Sequence, residues 1–437
     1  MSFAHTFRCP RWFAVAAAVT VTVAFPVFVN AQPLTLASAQ RIALERSQML
    51  RGQDWSVAAS REMAVAAGQL PDPVLKIGLD NLPIDGSDRF SLTRDFMTMR
   101  RVGVMQEITD GDKRRLRADR FEREADRAGA QKTLVATTIE RDTALAWLDR
   151  YYAEAMAKVI AEVGEQTRLE VQAAEGAYRA GRGSEADVYA AYGALVMFED
   201  RTDEAQRKVR TATTAMTRWI GSEASRPLAG DPPVDAIRLD PLALDHQLEH
   251  HPQIEVLDRQ QALATADARI AQANQKSDWT VELAYQQRGP SFSNMISIGL
   301  SIPWQWDRAN RQDRELSAKL AMVEVVRSER EEALRSHVAE ARTLIGEWEN
   351  GRERHRRLQR ELVPLAASRT EAAVAAYRGA KVGLGEVLMA RRNEIDARLL
   401  ALQLAADTAR LWAQINFLFP SDDSTLRSLP VQRSEIK

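Results

Sequence analysis

One segment of fifteen residues occurs twice in this chain and constrains its fold more than any other feature. Residues 177–191 read AYRAGRGSEADVYAA and residues 376–390 read AYRGAKVGLGEVLMA, aligned without a gap. Equivalent positions are Tyr178 and Tyr377, Gly181 and Ala380, Arg182 and Lys381, and Asp187 and Glu386. Each copy joins two helical runs through a break of small residues, which predicts the turn of a helical hairpin. The fixed offset indicates an internal duplication.

The two turns differ in the positions of their glycines. The first has Gly181 and Gly183, whereas the second has Ala380 and Val382 there and glycines at 379, 383 and 385. Glycine adopts left-handed backbone conformations at low cost, so the first turn is expected to bend tightly. The two turns are therefore expected to present different surfaces.

Composition and charge argue against several classes of function. The chain has 437 residues, of which 27% are charged, and a formal net charge of −1. This balance gives no strong electrostatic attraction to nucleic acid, so no nucleic-acid partner is expected. The sequence contains no nucleophile triad, phosphate-binding loop or cofactor fingerprint. We therefore expect neither an enzyme nor a bound cofactor.

The N-terminus has the pattern of a secretion signal. Two arginines precede an apolar run over residues 12–28, and the small residues at 29–31 form a cleavage site. Residues 1–31 are therefore predicted to be a signal peptide. Its removal takes away Cys9, the only cysteine, so the mature protein is expected to lack disulfides, thiol chemistry and a lipid-bearing N-terminal cysteine.

Both halves of the chain are predicted to contain the same elements in the same order. The first repeat, 32–226, should contain a helix over 36–70, a β-hairpin at about 73–109 and a helical hairpin over 112–219 with its tip near 181. The second repeat, 227–420, should contain a helix over 241–275, a β-hairpin at about 278–305 and a helical hairpin over 308–419, interrupted at Pro364, with its tip near 380. Residues 421–437 form a polar tail.

The lengths of these elements predict a layer of helices that lie side by side and have equal overall length. Each long helix spans about 70 residues, or about 105 Å. Two apolar stripes on the first long helix, at 3-4 spacing, indicate that it lies between two neighbouring helices. The alternating strands predict half-buried hairpins, which are not expected to find a sheet partner within the chain. Closing a membrane barrel would then require several copies, since open edges are not tolerated in lipid; a soluble sandwich is the alternative.

The whole mature chain resembles the TolC-type outer-membrane efflux family. The similarity lies in both Tyr-x-x-(Gly/Ala)…(Asp/Glu)-Val turns and in the segments VGVMQEITDGDKRR, ISIGLSIPWQWDRANR and ELVPLAASRTEAAVAAYRGAKVG, in that duplicated order. The resemblance implies an α+β membrane protein of TolC-like fold. In that fold three chains form an α-helical barrel and a trimeric 12-stranded transmembrane β-barrel, to which each chain contributes four strands.

The resemblance also implies location and partners. The protein would lie in the outer membrane of a Gram-negative bacterium, in contact with lipid and with a large periplasmic part. It would be a homotrimer that works with a periplasmic adaptor (a membrane fusion protein) and an inner-membrane pump of the RND type. Its role would be that of the exit duct of a tripartite efflux system.

Within the family, the compact length and the segment GQLPDPVLKIGLDNLP resemble the heavy-metal branch, which includes CzcC- and CusC-like proteins. This implies export of heavy-metal cations. The lipid-modified cysteine of many CusC-like proteins has no counterpart here. Two alternatives remain: an exit duct of the same fold for drugs or secreted polypeptides, and a periplasmic coiled-coil structural or adaptor protein without a pore.

The resemblance assigns two roles to the helical turns. Adaptor docking would involve Tyr178, Gly181, Arg182, Tyr377, Ala380 and Lys381. Asp187 and Glu386 would form an acidic ring at the periplasmic entrance, which would favour cations. The alternative is that these acidic residues are solvated charges at a helical bend.

Two further groups of residues are weaker candidates for metal binding. His246 and His250 belong to an H-x-x-E-H pattern, as in some zinc peptidases, but no third ligand is identifiable and His251-Pro252 is expected to end the helix. Met97, Met99 and Met105 carry thioethers that suit soft cations, although methionine is also common in apolar packing. We therefore predict no dedicated metal site.

Overall fold

The computed structural model describes residues 33–421, which form long helices and one β-sheet. The predicted signal peptide with Cys9, and residues 422–437 of the polar tail, lie outside the described residues. The strands are β1 (Val74–Asp80), β2 (Met99–Ile108), β3 (Trp279–Gln287) and β4 (Met295–Ser301). The helices of the first half are α1 (Leu36–Arg46), α2 (Gln48–Ala67), α3 (Gly111–Arg179) and α4 (Glu185–Ile220). Those of the second half are α5 (Leu244–Leu248), α6 (Pro252–Ala273), α7 (Gln312–Arg357), α8 (Val363–Arg378) and α9 (Leu384–Asn416).

The longest element, α3, has 69 residues and is therefore about 100 Å long. It contains no proline, which would cost about 3 kcal/mol in a helix interior. It begins where the Asp110 carboxylate accepts a hydrogen bond of 2.8 Å from the Asp112 N–H. It packs against α4 on one flank and α9 on another, which confirms the predicted pair of neighbours.

Two helices predicted as continuous are each divided. The helix expected over 36–70 breaks at Ser47, which has an extended conformation and whose hydroxyl accepts a hydrogen bond from the Leu50 N–H. The helix expected over 241–275 is the short α5 followed by α6. Here His251 and Pro252 begin a helix instead of ending one. The His251 Nδ1 accepts the Gln253 N–H at 3.2 Å, and proline suits the first helical turn because its missing N–H has no intrahelical partner there.

The interruption expected at Pro364 is a local widening of the helix. Residues Leu358–Leu362 form one π-helical stretch between α7 and α8. Pro364 is the second residue of α8 and has no N–H to donate to the preceding turn, and the helix widens at that turn. The chain therefore passes from α7 into α8 without an intervening loop.

The two β-hairpins join into one antiparallel sheet of order β1-β2-β3-β4. The strands β2 and β3, from different halves of the chain, pair over nine positions that include Gly103 opposite Ala284. The prediction that the hairpins would lack a partner within the chain is therefore wrong. β1 and β4 are the two edges of the sheet.

The sheet exposes its apolar face and shelters its charged face. The exposed apolar side chains include Leu75, Ile77, Val102, Val104, Leu283, Ile296, Ile298 and Leu300, with Ile77 76% and Ile298 79% exposed. On the opposite face Glu282 pairs with Lys76 at 2.9 Å and also with Arg101. The alternation was predicted, but burial of the apolar side chains was not found. A contiguous apolar surface of this kind marks a site of contact with lipid or another protein.

Two apolar clusters lie along the helices. The larger one surrounds the middle of α3 and the ends of α4 and α9 remote from the turns. There the indole N–H groups of Trp147, Trp348 and Trp412 donate to the carbonyls of Leu34, Val234 and Ala236. The smaller one, near the turns, contains Val171, Ala174, Ala191, Leu384 and Val387. Among residues 33–421, no helix combines the length and apolar character needed to cross a membrane.

Replacing Gly103 with alanine is expected to weaken the junction between the two hairpins. A Cβ at this position would lie 2.9 Å from the Ala284 Cβ and 3.0 Å from the Leu283 carbonyl oxygen. Overpacking of this kind typically costs about 1–3 kcal/mol. The matched control is Gly78→Ala, whose Cβ would meet nothing closer than 3.8 Å. Thermal unfolding followed by circular dichroism should show a lower midpoint for Gly103→Ala only; equal midpoints would contradict the close approach.

Candidate functional site at the two helical turns

The first turn closes α3 with a left-handed residue. Gly181 has φ of +67°, in the region that glycine reaches at low cost. The Gly181 N–H donates to the Tyr178 carbonyl at 2.9 Å, and the Arg182 N–H donates to the Ala177 carbonyl at 2.9 Å. These two bonds satisfy carbonyls that would otherwise lack partners at the end of the helix. The chain then reverses into α4.

The second turn has the same backbone geometry. Ala380 has φ of +54°, the Ala380 N–H donates to the Tyr377 carbonyl at 2.9 Å, and the Lys381 N–H donates to the Ala376 carbonyl at 2.9 Å. A left-handed alanine costs about 1–2 kcal/mol. The expectation that relocated glycines would bend this turn differently is wrong for the backbone. Gly379 and Gly383 both have φ of −80°.

The helices that leave the two turns begin differently. The Ser184 hydroxyl accepts the Asp187 N–H at 3.1 Å, and the Asp187 carboxylate accepts the Ser184 N–H at 3.1 Å, which forms a capping box. The hydrogen bonds from the Ser184 hydroxyl and N–H also hold the pKa of Asp187 below its usual value. At the second turn Gly383 has no side chain to form a cap. The two turns therefore differ in side-chain contacts although their backbones agree.

The two acidic candidates consequently have different partners. Asp187 is engaged with Ser184, whereas Glu386 lies 3.5 Å from the Arg369 guanidinium, a pair that is largely exposed. The basic residues behave alike: Arg182 and Lys381 are both exposed, and neither has an ion-pair partner among residues 33–421. Each turn therefore presents an unpaired basic side chain at its apex.

The structure brings the two turns together through the smaller apolar cluster. Tyr377 is partly buried against this cluster, whereas Tyr178 is 49% exposed. A groove of about 430 Å³ lies next to it between α3, α4 and α9, with Met197, Phe198, Leu388 and Met389 in its walls. The two turns are thus neighbours, and an apolar groove lies beside their basic apices.

The weaker metal candidates do not form a site. The His246 and His250 rings are 5.5 Å apart and exposed, and the described part of the chain contains no group of three or more His, Cys, Asp or Glu able to hold a metal. Met99 and Met105 lie on one strand about 20 Å apart, and Met97 lies in the preceding loop. One ion cannot bind both strand methionines of a single chain.

Sequence reasoning missed a histidine pair. His251 stacks on His337 with ring centroids 4.3 Å apart, and Phe419 contacts His251 edge-on. Burial, with a contribution from His337, lowers the pKa of His251 to about 4. No sequence pattern connects these residues, which come from separate helices. The neutral His251 ring caps α6, so its role is explained by packing.

These features together define a fold. It combines a sheet that has an exposed apolar face with long helices, the longest about 100 Å, that end in paired turns. The TolC-like fold predicted from the sequence is confirmed by solved structures.

The outer-membrane channel OprN has a TM-score of 0.72 and 18% identity, over 88% of this chain and 90% of its own. CusC, described as forming a transmembrane channel, has a TM-score of 0.72 and 16% identity, over 87% of this chain and 91% of its own. The outer membrane protein VceC of Vibrio cholerae has a TM-score of 0.70 and 17% identity, over 88% and 95%. No protein-family model and no curated protein matches the sequence. Similarity at these identities establishes the fold.

The matched left-handed residues predict opposite effects of substitution. Gly181→Ala should destabilise the first turn by about 1 kcal/mol, and Ala380→Gly should stabilise the second by up to about 1 kcal/mol. Hydrogen exchange of the Arg182 and Lys381 amides reports these changes, since both donate across the turns. Gly385→Ala, in the first turn of α9 with nothing within 4 Å of the new Cβ, is the control. Faster exchange of Lys381 in Ala380→Gly would contradict the assigned strain.

The capping box predicts that acid weakens only the first turn. Since the pKa of Asp187 is lowered in the folded chain, its contribution is present above its usual pKa of 3.8 and is lost as pH falls through the folded value. Protection of the Asp187 amide, corrected for intrinsic exchange, should therefore fall as the pH is lowered from about 5 to below 3.8. The Glu386 amide of the same sample is the control. Ser184→Ala should remove the difference between the turns; an unchanged difference would show that the cap is not responsible.

Proposed function

We propose that this protein is an outer-membrane exit duct that passively exports solutes, assembled from three copies of the chain. The observation that carries this proposal is the exposed apolar face of the sheet, because such a face needs lipid or protein around it. The four strands have two open edges, at β1 and β4, and edges are not stable in lipid. Twelve strands from three copies would close a barrel of ordinary size.

The predicted organisation of the chain fits this proposal. Residues 1–31 would direct secretion, and each repeat would contribute one hairpin to the barrel and one helical hairpin to a periplasmic tunnel. The turns would then lie about 100 Å from the membrane, given the length of α3. This organisation supports a location in the outer membrane of a Gram-negative bacterium.

We infer that the turns bind a periplasmic adaptor, which in turn contacts an inner-membrane pump of the RND type. The exposed charges of Arg182 and Lys381 and the neighbouring apolar groove support this role. Tyr178 offers an exposed aromatic ring at the same place. A surface that combines aromatic, basic and apolar groups is typical of protein interfaces.

We further propose that acidic residues of the turns influence passage through the entrance. Three copies of Asp187 and Glu386 would form a ring that favours cations. Asp187 keeps its negative charge while it accepts hydrogen bonds from Ser184. Glu386 lies 3.5 Å from the Arg369 guanidinium in a largely exposed pair, which offsets part of its charge.

Heavy-metal cations are the proposed cargo. The similarity of the fold to OprN and to CusC is equal, so the fold does not discriminate among cargoes. The proposal rests on the likeness of residues 68–83 to the heavy-metal branch. Drugs or secreted polypeptides are the alternative cargo, and a conduit of this kind carries out no chemical reaction.

The first experiment asks whether the protein is a duct. The full chain expressed in a Gram-negative host should be recovered from the outer-membrane fraction, have the mass of a trimer in detergent and conduct ions in planar bilayers. A soluble monomer, or a trimer without conductance, would favour the alternative of a periplasmic coiled-coil protein without a pore.

The second experiment separates docking from conduction. The double variant Arg182→Glu/Lys381→Glu should keep its conductance but lose the ability to restore tolerance to copper, silver, zinc, cobalt or cadmium in a strain lacking the duct. Arg51→Glu/Arg61→Glu, on the exposed side of α2, makes the same change in charge away from the turns and should complement normally. Rescue of dye tolerance without metal tolerance by the unmodified protein would overturn the metal assignment and leave the duct intact.

A further inference from the structure

Near the turns, the helices of one chain form a row with two edges. α3 packs against α4 and α9, and α9 packs against α3 and α8. The order across the row is therefore α4, α3, α9, α8. The outward faces of α4 and α8 are the faces with which such a row can meet another.

The outward face of α4 has a stripe of exposed residues at helical spacing. Its members, three or four residues apart, are Tyr189, Tyr192, Val196, Glu199 and Asp203. Tyr189 is 67% and Val196 64% exposed, whereas Ala191 and Ala205, on the other side of the helix, are buried against the chain. A repeat at this spacing is the pattern by which one helix packs along another. One face of α4 is therefore packed within the chain, and its outward face is exposed.

The outward face of α8 is complementary in size. Its exposed residues at the same spacing are Leu365, Ser368, Ala372, Ala375 and Gly379. Thr370, on the opposite side, is buried. Small side chains let a second helix approach closely and leave room for tyrosine rings.

The two faces are also complementary in charge. On α4, Glu199, Asp200 and Asp203 are exposed and have no ion-pair partner among residues 33–421. At the end of α7 and in the π-helical stretch, four exposed arginines likewise lack an ion-pair partner within that range: Arg354, Arg356, Arg357 and Arg360. The equivalent positions of the first repeat are Ala155, Ala157, Lys158 and Ala161, so the basic run belongs to the second repeat alone.

The complementary groups lie at matching heights. The two turns of one chain are held together by the smaller apolar cluster, so Gly183 and Val382 serve as a common origin. At about 1.5 Å per residue, the distances along the helices are about 14 Å for Tyr192, about 15 Å for Ala372, about 30 Å for Asp203 and about 33 Å for Arg360. Rotation about an axis along the helices preserves these heights from one copy to the next.

We propose that the outward face of α4 packs against the outward face of α8 of a second copy of this chain. Tyr189 and Tyr192 then lie over the small residues of α8, and the acidic group around Asp203 pairs with the arginines around Arg360. This inference rests on the proposed trimer and names the surfaces that close it. Because the two faces differ, the contact is head-to-tail, and such a contact builds a ring when the rotation closes.

Reversal of charge tests the pairing. In full-length trimer, Asp203→Arg and Arg360→Asp should each place like charges across the interface and speed dissociation of the trimer by about tenfold or more. The double variant Asp203→Arg/Arg360→Asp should restore the dissociation rate. Native mass measurement after timed heating gives this rate, and circular dichroism verifies that each monomer is folded. Additive effects without rescue would overturn the pairing.

Cysteine cross-linking tests the packing independently. Cys9 is the only native cysteine, so a Cys9→Ser background is free of other thiols. Val196→Cys/Ser368→Cys should form a disulfide between copies under mild oxidation, since the two positions face each other at about the same height. Met197→Cys/Ser368→Cys is the matched control, because Met197 lines the groove between α4 and α9.

The outcomes separate the two levels of the proposal. Cross-linked oligomers with Val196→Cys and not with Met197→Cys support the interface. An intact trimer with no cross-link, or with equal cross-linking of both variants, overturns this interface while the duct stands. A monomer in detergent would overturn the duct together with the interface.

Discussion

The contacts of α3 with α6 and α9 hold the two repeats side by side, and the rest of the structure depends on them. Three arginines of α9 pair with acidic residues of α3: Arg391 with Glu170 at 2.7 Å, Arg398 with Glu162 at 2.9 Å, and Arg410 with Asp149 at 2.7 Å. The first pair is sheltered, with side chains 15% and 12% exposed, so breaking it would leave a charge poorly solvated. Because these pairs extend over about 30 Å of α3, they set the register of one repeat against the other.

That register determines what lies at each end of the molecule. At one end both turns share an apolar cluster and present Arg182 and Lys381 together. At the other end β2 and β3 meet at Gly103 and Ala284, and the hairpins become one sheet. A slip by one helical turn would separate the turns and shift the strands by about 5 Å. The two turns and the sheet are therefore linked through the helices between them.

Sequence patterns predicted the order of elements better than their surroundings. The duplication located both turns, and alternation located the strands. However, alternation shows that the two faces of a strand differ and not which face is buried. It therefore could not predict that Ile77 and Ile298 are exposed. Nor could local patterns predict pairing between strands about 180 residues apart, or that Pro252 opens a helix. At the candidate site, Ala380 was missed as a left-handed residue because hydrogen bonding, and not residue preference, sets its conformation.

The duplication also explains where the two repeats diverge. The stretch of α3 that contains Ala155 and Ala161 lies between α4 and α9, and small residues there permit close packing on both sides. The equivalent stretch around Arg357 has α9 as its neighbour within the chain, and its outward side is exposed. Arginines are tolerated there because they remain solvated until a partner approaches. Two copies of one ancestral hairpin thus acquired different outward faces because they occupy different positions in the row. The two edges of the row are therefore not equivalent.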